Sequence, residues 1–166
     1  MKLFYLPGAC SLAPHISLHK AKQKFDRVEV DCRMQQTATG QDYVTINPKG
    51  TVPALQLADG RVLTEVPIIL QFLADDAQDA QLLPVSGMRR LECLDWLDFI
   101  ATEIQKSFSP LFWSTTLQSL IQPGKTHLKS RLNVVERHLT PALRQHSKRT
   151  EVRRSVQNAV EREGCS

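Results

Sequence analysis

Residues 1–14 read MKLFYLPGACSLAP, and this stretch decides the fold. Lys2 to Leu6 is a mostly apolar segment typical of a strand. The Pro7-Gly8 pair ends it, and a helix opens at Ser11 with Pro14 in its first turn, where a missing N–H costs little. A strand, a tight turn and a helix in succession predict a layered α/β or α+β unit.

The alternation of short extended and helical segments continues to about residue 80. Arg27 to Asp31 is predicted as a second strand. Residues 33–41 are polar and are predicted as a loop. An Ala58-Asp59-Gly60 turn joins two short strands, Pro53 to Leu57 and Arg61 to Thr64, in a hairpin.

Apolar spacing predicts the helices. The first helix is expected to bury Ile16, Leu18 and Ala21, and a second runs from Glu65 to Leu73. After a linker at Leu82 to Gly87 the spacing is purely helical. The apolar positions of two long helices are Leu91, Leu94, Leu97, Ile100, Ile104 and Phe108, and then Leu128, Leu132, Val135 and Leu139. We therefore expect an α/β domain at residues 1–80 and an all-α domain at residues 81–143.

The positive charge of the chain is concentrated near its C-terminal end. The net charge of the 166 residues is +4, but residues 1–123 carry −2 and residues 124–166 carry +6. Residues 144–166 lack Leu, Ile, Met, Phe, Tyr and Trp, so we expect a basic tail that is mobile or weakly helical. The tail has no aromatic residues for base stacking and no nucleic-acid motif, so no nucleic-acid partner is expected.

The sequence also predicts the compartment. Its apolar runs are far shorter than the roughly 20 residues that cross a bilayer, and the first run ends too early for a signal peptide. The sequence contains four cysteines, Cys10, Cys32, Cys93 and Cys165. They form no CxxC pair and are too sparse for a disulfide framework. We expect reduced thiols, a cytoplasmic protein and no membrane partner.

Cys10 is the first candidate for chemistry. It follows a strand and a turn at the start of a helix, where backbone N–H groups and the helix dipole favour a thiolate. A small buried core residue is the alternative interpretation of the same position.

Two further segments have alternative interpretations. Most X-Pro bonds are trans, but a cis bond at Val52-Pro53 would turn the preceding backbone outward to pair with a peptide-like ligand. Glu65 either complements the dipole of the helix that it opens or binds a ligand ammonium, with nearby N–H groups binding the ligand's carboxylate.

His15 and His19 are four residues apart on a helix, but with no third ligand we expect a surface or cleft-edge pair and no metal site.

Four motifs together resemble the bacterial beta-class glutathione S-transferases. They are LPGACSLAPH at 6–15, NPKGTVP at 47–53, LTE at 63–65 and WLDFIATE at 96–103. The similarity runs from Met1 to about Leu139. It implies a thioredoxin-like N-terminal domain that binds glutathione and an all-α C-terminal domain that binds an electrophile. It also implies a homodimer and a role in detoxification.

The resemblance assigns roles to individual residues. Cys10 lies beside the glutathione sulfur and can form a mixed disulfide with it. Val52, before a cis-Pro53, pairs with the cysteinyl backbone of glutathione, and Glu65 and Val66 hold its γ-glutamyl end. The other positions that match the family's glutathione site are Gln35, Asp98, Gln105 and Lys106. No metal is implied.

Several residues depart from the family pattern. Gln35 replaces a lysine that reaches the glycine carboxylate, so a charge-assisted bond becomes a neutral one. Val66 replaces a small or hydroxylated residue, and Asp98 replaces an asparagine. Gln105 replaces a histidine that orients or deprotonates the thiol, and glutamine cannot accept a proton. From about Thr140 the family's apolar helices are missing, which we interpret as a truncation or a change of reading frame.

The leading hypothesis is a transferase that stabilises the glutathione thiolate and presents it to small electrophiles. One alternative is a glutathione-binding or thiol-disulfide protein with little conjugating activity, which Gln105 and the missing helices favour. The other alternative is a degenerate member of the family that has no catalytic activity.

Overall fold

The computed structural model describes residues 1–108 and 118–138. The chain divides into two compact units, the first containing Met1–Gly87 and the second beginning at Met88. The sequence placed a boundary after residue 80, and Leu82 still packs against the core of the first unit.

The first unit is built on a five-stranded sheet in the order β3-β2-β1-β4-β5. The strands are β1 (Lys2–Tyr5), β2 (Asp26–Asp31), β3 (Gln36–Thr37), β4 (Ala54–Gln56) and β5 (Val62–Thr64). β1 pairs with β2 in parallel, and every other neighbouring pair is antiparallel. The predicted hairpin and first two strands are confirmed. The prediction of a loop at residues 33–41 missed β3, whose two residues are too few to show a periodic pattern.

Two helices cover one face of this sheet, α1 (Leu12–Lys20) and α2 (Val66–Asp76). Side chains alternate across β1, so its residues enter two different cores. On the helical side the core contains Leu3, Tyr5, Leu18, Leu55, Ile69 and Leu73. On the opposite side it contains Phe4, Val30, Tyr43 and Ala54, with Tyr43 in a short 3-10 turn at Tyr43–Thr45.

The buried face of α1 confirms the prediction at Leu18 and differs from it at the other two positions. Pro14, His15 and Leu18 are its buried residues, whereas Ile16 and Ala21 are only half-buried. The expected surface pair of histidines is also wrong, because His15 is fully buried. The His15 ring packs against the ring of Phe25, with 5.7 Å between the two centroids. The ring is therefore part of the packed interior.

The second unit is helical throughout the residues that the structure describes. It contains α3 (Met88–Phe99), a π-helical segment at Ile100–Gln105 and α4 (Gln118–His138). The change to π-helical hydrogen bonding at Ile100 divides the predicted long helix, and Leu91 and Ile100 of its apolar face are 57% and 44% exposed. In α4, Leu128 is buried as predicted.

The helices of this unit are joined by polar contacts. Glu103 Oε2 lies 3.6 Å from Arg131 Nη1 and 3.9 Å from His127 Nε2. The rings of Trp96 and His138 lie 4.2 Å apart. The polar residues therefore help to connect the π-helical segment and α3 with α4.

The mixed sheet, with its parallel β1-α1-β2 connection and following hairpin, confirms a thioredoxin-like first unit. None of the described helices is long and apolar enough to cross a membrane. Cys10, Cys32 and Cys93 are outside any disulfide. Cys165, Leu139 and the expected basic tail at 144–166 lie outside the described residues.

Candidate functional site

The strand directions bring four segments of the first unit to one edge of the sheet. Cys10 follows β1, and Cys32 follows the parallel strand β2. Pro53 precedes β4, which is antiparallel to β1, and Glu65 follows β5, which is antiparallel to β4. The predicted site residues of this unit therefore lie at a common edge.

Cys10 stands at the end of a loop that Ser11 closes. The buried Ser11 hydroxyl donates to the Leu6 carbonyl at 3.0 Å, and the Leu6 N–H donates back to it at 3.3 Å. Gly8 makes the turn with φ +71°. The Cys10 amide carbonyl accepts from Ala13 N–H at 3.3 Å, in the first turn of α1. This fixes Cys10 at the N-terminus of α1.

The Cys10 thiol points at the residue before the proline. Its Sγ donates to the Val52 carbonyl oxygen over 3.4 Å. A carbonyl oxygen is an acceptor, so this is a contact of the protonated thiol. Cys10 is half-buried, and the interpretation as a plain buried core residue is therefore wrong.

The Val52-Pro53 peptide bond is cis. The cis form that the family resemblance implies is confirmed, against the general preference for trans. Asn47, which is 1% exposed, holds the loop that leads to it. Asn47 Nδ2 donates to the Thr51 carbonyl at 2.7 Å, and the Tyr43 hydroxyl donates to the same oxygen at 2.9 Å.

Gln35 connects the loop after β2 with the loop before β4. Its Nε2 donates to the Cys32 carbonyl at 2.6 Å and to the Gly50 carbonyl at 3.0 Å. Both hydrogens of the amide are thus used by the backbone. A Gln35 contact to the glycine carboxylate of glutathione requires these bonds to open, and it stays a prediction.

Glu65 precedes α2 in an unusual backbone conformation, with φ +68°. Its carbonyl accepts the first helical bond from Ile69 N–H at 3.0 Å, and Val66 is the first residue of α2. The Glu65 carboxylate pairs with Lys49 Nζ at 3.0 Å, and the same ammonium donates to Thr64 Oγ1 at 2.9 Å. The carboxylate is more than half exposed and open to a ligand cation.

Sequence reasoning missed two residues at this edge. Lys49 lies in the quoted motif at 47–53, but nothing in the sequence pairs it with Glu65. Cys32 was assigned only as a reduced thiol. Burial, the charge of Asp31 and the charge of Cys10 together raise the pKa of Cys32 above its usual value, although a hydrogen bond from Val52 opposes them. Its position directly after a strand parallel to β1 was the available signal.

The three remaining predicted residues belong to the second unit. Asp98 is in α3, where its carbonyl accepts from Thr102 Oγ1 at 2.8 Å. Gln105 ends the π-helical segment and the exposed Lys106 follows it. Their participation in a site with Cys10 stays a prediction. No cluster of three or more metal-ligating side chains occurs among residues 1–108 and 118–138.

A cysteine at a helix start facing a cis-proline loop on a thioredoxin-like sheet is the arrangement of a thiol-binding protein. A family model, "Glutathione S-transferase, N-terminal domain", matches residues 9–76. Glutathione S-transferase GstA of Escherichia coli O157:H7 is 46% identical over 140 residues, which are 84% of this chain and 70% of the relative. The chain belongs to the glutathione S-transferase family.

Solved structures agree with this assignment. A sphingomonad glutathione S-transferase complexed with glutathione is 32% identical, with a TM-score of 0.92 over 100% of both chains. A beta-class glutathione S-transferase from Sphingomonas chungbukensis is 33% identical, with a TM-score of 0.93 and the same coverage.

Proposed function

We propose that this chain is a beta-class glutathione transferase that binds glutathione at the edge formed by Cys10, Val52, Pro53 and Glu65. The observation that carries the proposal is the Cys10 Sγ contact of 3.4 Å with the Val52 carbonyl, beside a cis-proline. A thiol ligand that pairs with the Val52 backbone then has its sulfur next to Cys10. The family match and the glutathione-bound relative support the same ligand.

The two ends of glutathione are assigned by charge. The γ-glutamyl ammonium pairs with the Glu65 carboxylate, which is more than half exposed. The γ-glutamyl carboxylate accepts hydrogen bonds from the backbone N–H groups at the start of α2, which begins at Val66. A helix N-terminus favours an anion at this position. The glycine carboxylate lies towards Gln35.

Catalysis consists of holding the glutathione sulfur as a thiolate at the N-terminus of α1 and presenting it to a small electrophile. The dipole and N–H groups of that helix stabilise the anion. The family resemblance also assigns Asp98, Gln105 and Lys106 to the glutathione site, and these assignments belong to the proposal. By the same resemblance Lys106 matches a lysine that faces the cleft, and Gln105, which replaces a histidine, cannot accept the proton of the thiol.

A second candidate function is thiol-disulfide exchange with little conjugation. It is favoured because Cys10 is a half-buried thiol in contact with the glutathione-pairing residue, whereas Gln105 cannot act as a base. The two functions share the glutathione site and differ in the reaction that follows binding.

The chain is further proposed to act in the cytoplasm in detoxification, with no membrane or nucleic-acid partner, as a homodimer. The homodimer is what the resemblance to the beta-class transferases implies. The domain limits at residues 80 and 143 belong to the same proposal.

The test compares binding with conjugation. S-methylglutathione, which has no thiol, measures binding by titration calorimetry. Glutathione with chlorodinitrobenzene measures conjugation, and intact mass after exposure to glutathione disulfide measures the Cys10 adduct. Cys10→Ser is the variant and Cys93→Ser, a cysteine on α3, is its matched control.

Saturable binding together with conjugation supports the transferase. Binding and a Cys10 adduct without conjugation favour thiol-disulfide exchange. If S-methylglutathione does not bind to a folded chain at millimolar concentration, both functions are excluded and a non-catalytic family member remains.

A further inference from the structure

Val52 lies between two thiols. Cys10 Sγ donates to its carbonyl oxygen at 3.4 Å. The Val52 backbone N–H forms a hydrogen bond to the sulfur of Cys32. Both cysteines are half-buried, and neither is in a disulfide. The two backbone groups that would pair with a peptide-like ligand are therefore each in contact with a cysteine.

General backbone geometry would place the two contacts on the same side of Val52. A residue before proline is held in the extended region. In an extended residue the N–H and C=O leave the chain on one side, which is why one partner residue can use both in an antiparallel pair. The charge of Cys10 also acts on the Cys32 thiol, whose pKa it helps to raise.

Cys32 is fixed in this position by its neighbours. Its carbonyl accepts the 2.6 Å bond from Gln35, which also binds Gly50, two residues before Val52. Its side chain and that of Val52 pack against the same core, formed by Phe4, Val30, Tyr43 and Ala54. The contact is thus built from the loop after β2 and the loop before β4.

We propose that Cys32 is a resolving thiol, which attacks a mixed disulfide between Cys10 and glutathione and so gives the chain a two-cysteine disulfide-exchange activity. The inference rests on the proposed function for the presence of glutathione beside Cys10.

The oxidant is glutathione disulfide. The Cys10 thiolate attacks one of its sulfurs, a Cys10-glutathione disulfide forms, and one glutathione leaves as a thiolate that takes up the proton lost by Cys10. The Cys32 thiolate then attacks the Cys10 sulfur. A Cys10-Cys32 disulfide forms, and the second glutathione leaves and takes the Cys32 proton. Two protein thiols are oxidised and one glutathione disulfide is reduced to two glutathione molecules.

The second step is expected to depend on pH. Burial, the Asp31 charge and the Cys10 charge raise the pKa of Cys32 above 9.0. Because the thiolate is the attacking species, the rate of resolution rises by about tenfold per pH unit below that pKa. The mixed disulfide therefore persists longer at neutral than at alkaline pH.

The test exposes the full-length chain to glutathione disulfide and follows intact mass with time, with peptide mapping of the cysteines. Cys32→Ser is the variant, and Cys93→Ser is the matched control. S-methylglutathione binding is measured on each chain, since it reports on the glutathione site and on folding without any thiol chemistry.

We expect the wild type and Cys93→Ser to lose two hydrogens, with a peptide that links Cys10 to Cys32. Cys32→Ser should instead retain one glutathionyl group on Cys10. Raising the pH by one unit should speed the conversion of adduct to disulfide in the wild type by about tenfold.

The proposal is overturned if the wild type binds S-methylglutathione and its Cys10 adduct accumulates without releasing the second glutathione over time. It is also overturned if the linked peptide is absent at alkaline pH. These results concern the wild-type chain and do not depend on the variant folding. Loss of S-methylglutathione binding by the wild type would instead remove the proposed function on which this step rests, and the resolving role with it.

Discussion

Gln35 donates a 3.0 Å hydrogen bond to the carbonyl of Gly50, and the amide oxygen of the same side chain lies 2.7 Å from where a Cβ on Gly50 would stand. Gly50 also has φ +63°, a conformation that other residues adopt at a cost of about 1–2 kcal/mol. A Cβ at position 50 would therefore require the Gln35 side chain to shift.

Gly50→Ala is expected to lower the free energy of unfolding more than Gly60→Ala. Gly60 has φ +87° but no atom within 4 Å of its added Cβ, so that variant measures backbone strain alone. At Gly50 the methyl group must also displace Gln35 from its two carbonyl acceptors. Urea denaturation of both variants measures the difference, and equal losses would show that Gln35 moves aside without cost.

Gln35→Lys is expected to tighten S-methylglutathione binding by about tenfold at low salt, because it adds a positive charge opposite the glycine carboxylate. The free energy of unfolding should fall by about 1–2 kcal/mol, since the Cys32 and Gly50 carbonyls lose their donor. Gln36→Lys adds the same charge at an exposed position of β3 and is the control. If both variants bind equally, the charge acts at long range and the assigned contact is incorrect.

Lys49→Met is expected to tighten binding of the glutathione ammonium several-fold at low ionic strength, because Lys49 no longer competes for Glu65. Its stability should change by less than about 1 kcal/mol, because both partners are more than half exposed. Arg61→Met removes a comparable exposed pair with Asp59 in the hairpin and should leave affinity unchanged. If the affinity of Lys49→Met is unchanged over a salt series, Glu65 does not bind the ammonium group of the ligand.

Tyr43→Phe is expected to remove part of the loss of stability at alkaline pH. Burial raises the pKa of Tyr43 above 10.0, so the folded chain holds this proton where the unfolded chain releases it. The contribution of this group to stability is therefore fully present below about pH 10 and is lost as the pH rises from there through the higher pKa of the folded chain. At neutral pH the variant loses about 1 kcal/mol, because the bond to the Thr51 carbonyl is gone. Unfolding curves from neutral to alkaline pH test this, and parallel curves for the two chains would contradict it.

Much of the fold was predictable because local signals and packing agree. The strand at Lys2, the Asp59-Gly60 turn and the hairpin around it follow from apolar runs and turn residues. His15 was not predictable in the same way. A histidine ring can be buried among Tyr5 and Phe25, and residue type alone does not indicate this.

The site was predictable where a residue has a local reason for its role. Cys10 at a helix start and Pro53 before a strand carry such signals. Cys32 and Lys49 do not, because their roles depend on contacts across the sheet edge, with Val52 and Glu65 respectively. These contacts cannot be predicted from the number of residues between the partners, because they depend on the directions in which the strands pair.

The directions of the strands have a consequence for how the chain loses activity. Four loops that are distant in sequence converge only when β1, β2, β4 and β5 are all paired. No fragment that lacks one of these strands can retain the site, and a partly unfolded form loses it as a whole. Ligand binding therefore reports whether all four of these strands are paired. A saturating ligand should shift the entire unfolding transition of this unit and should not protect one half of it.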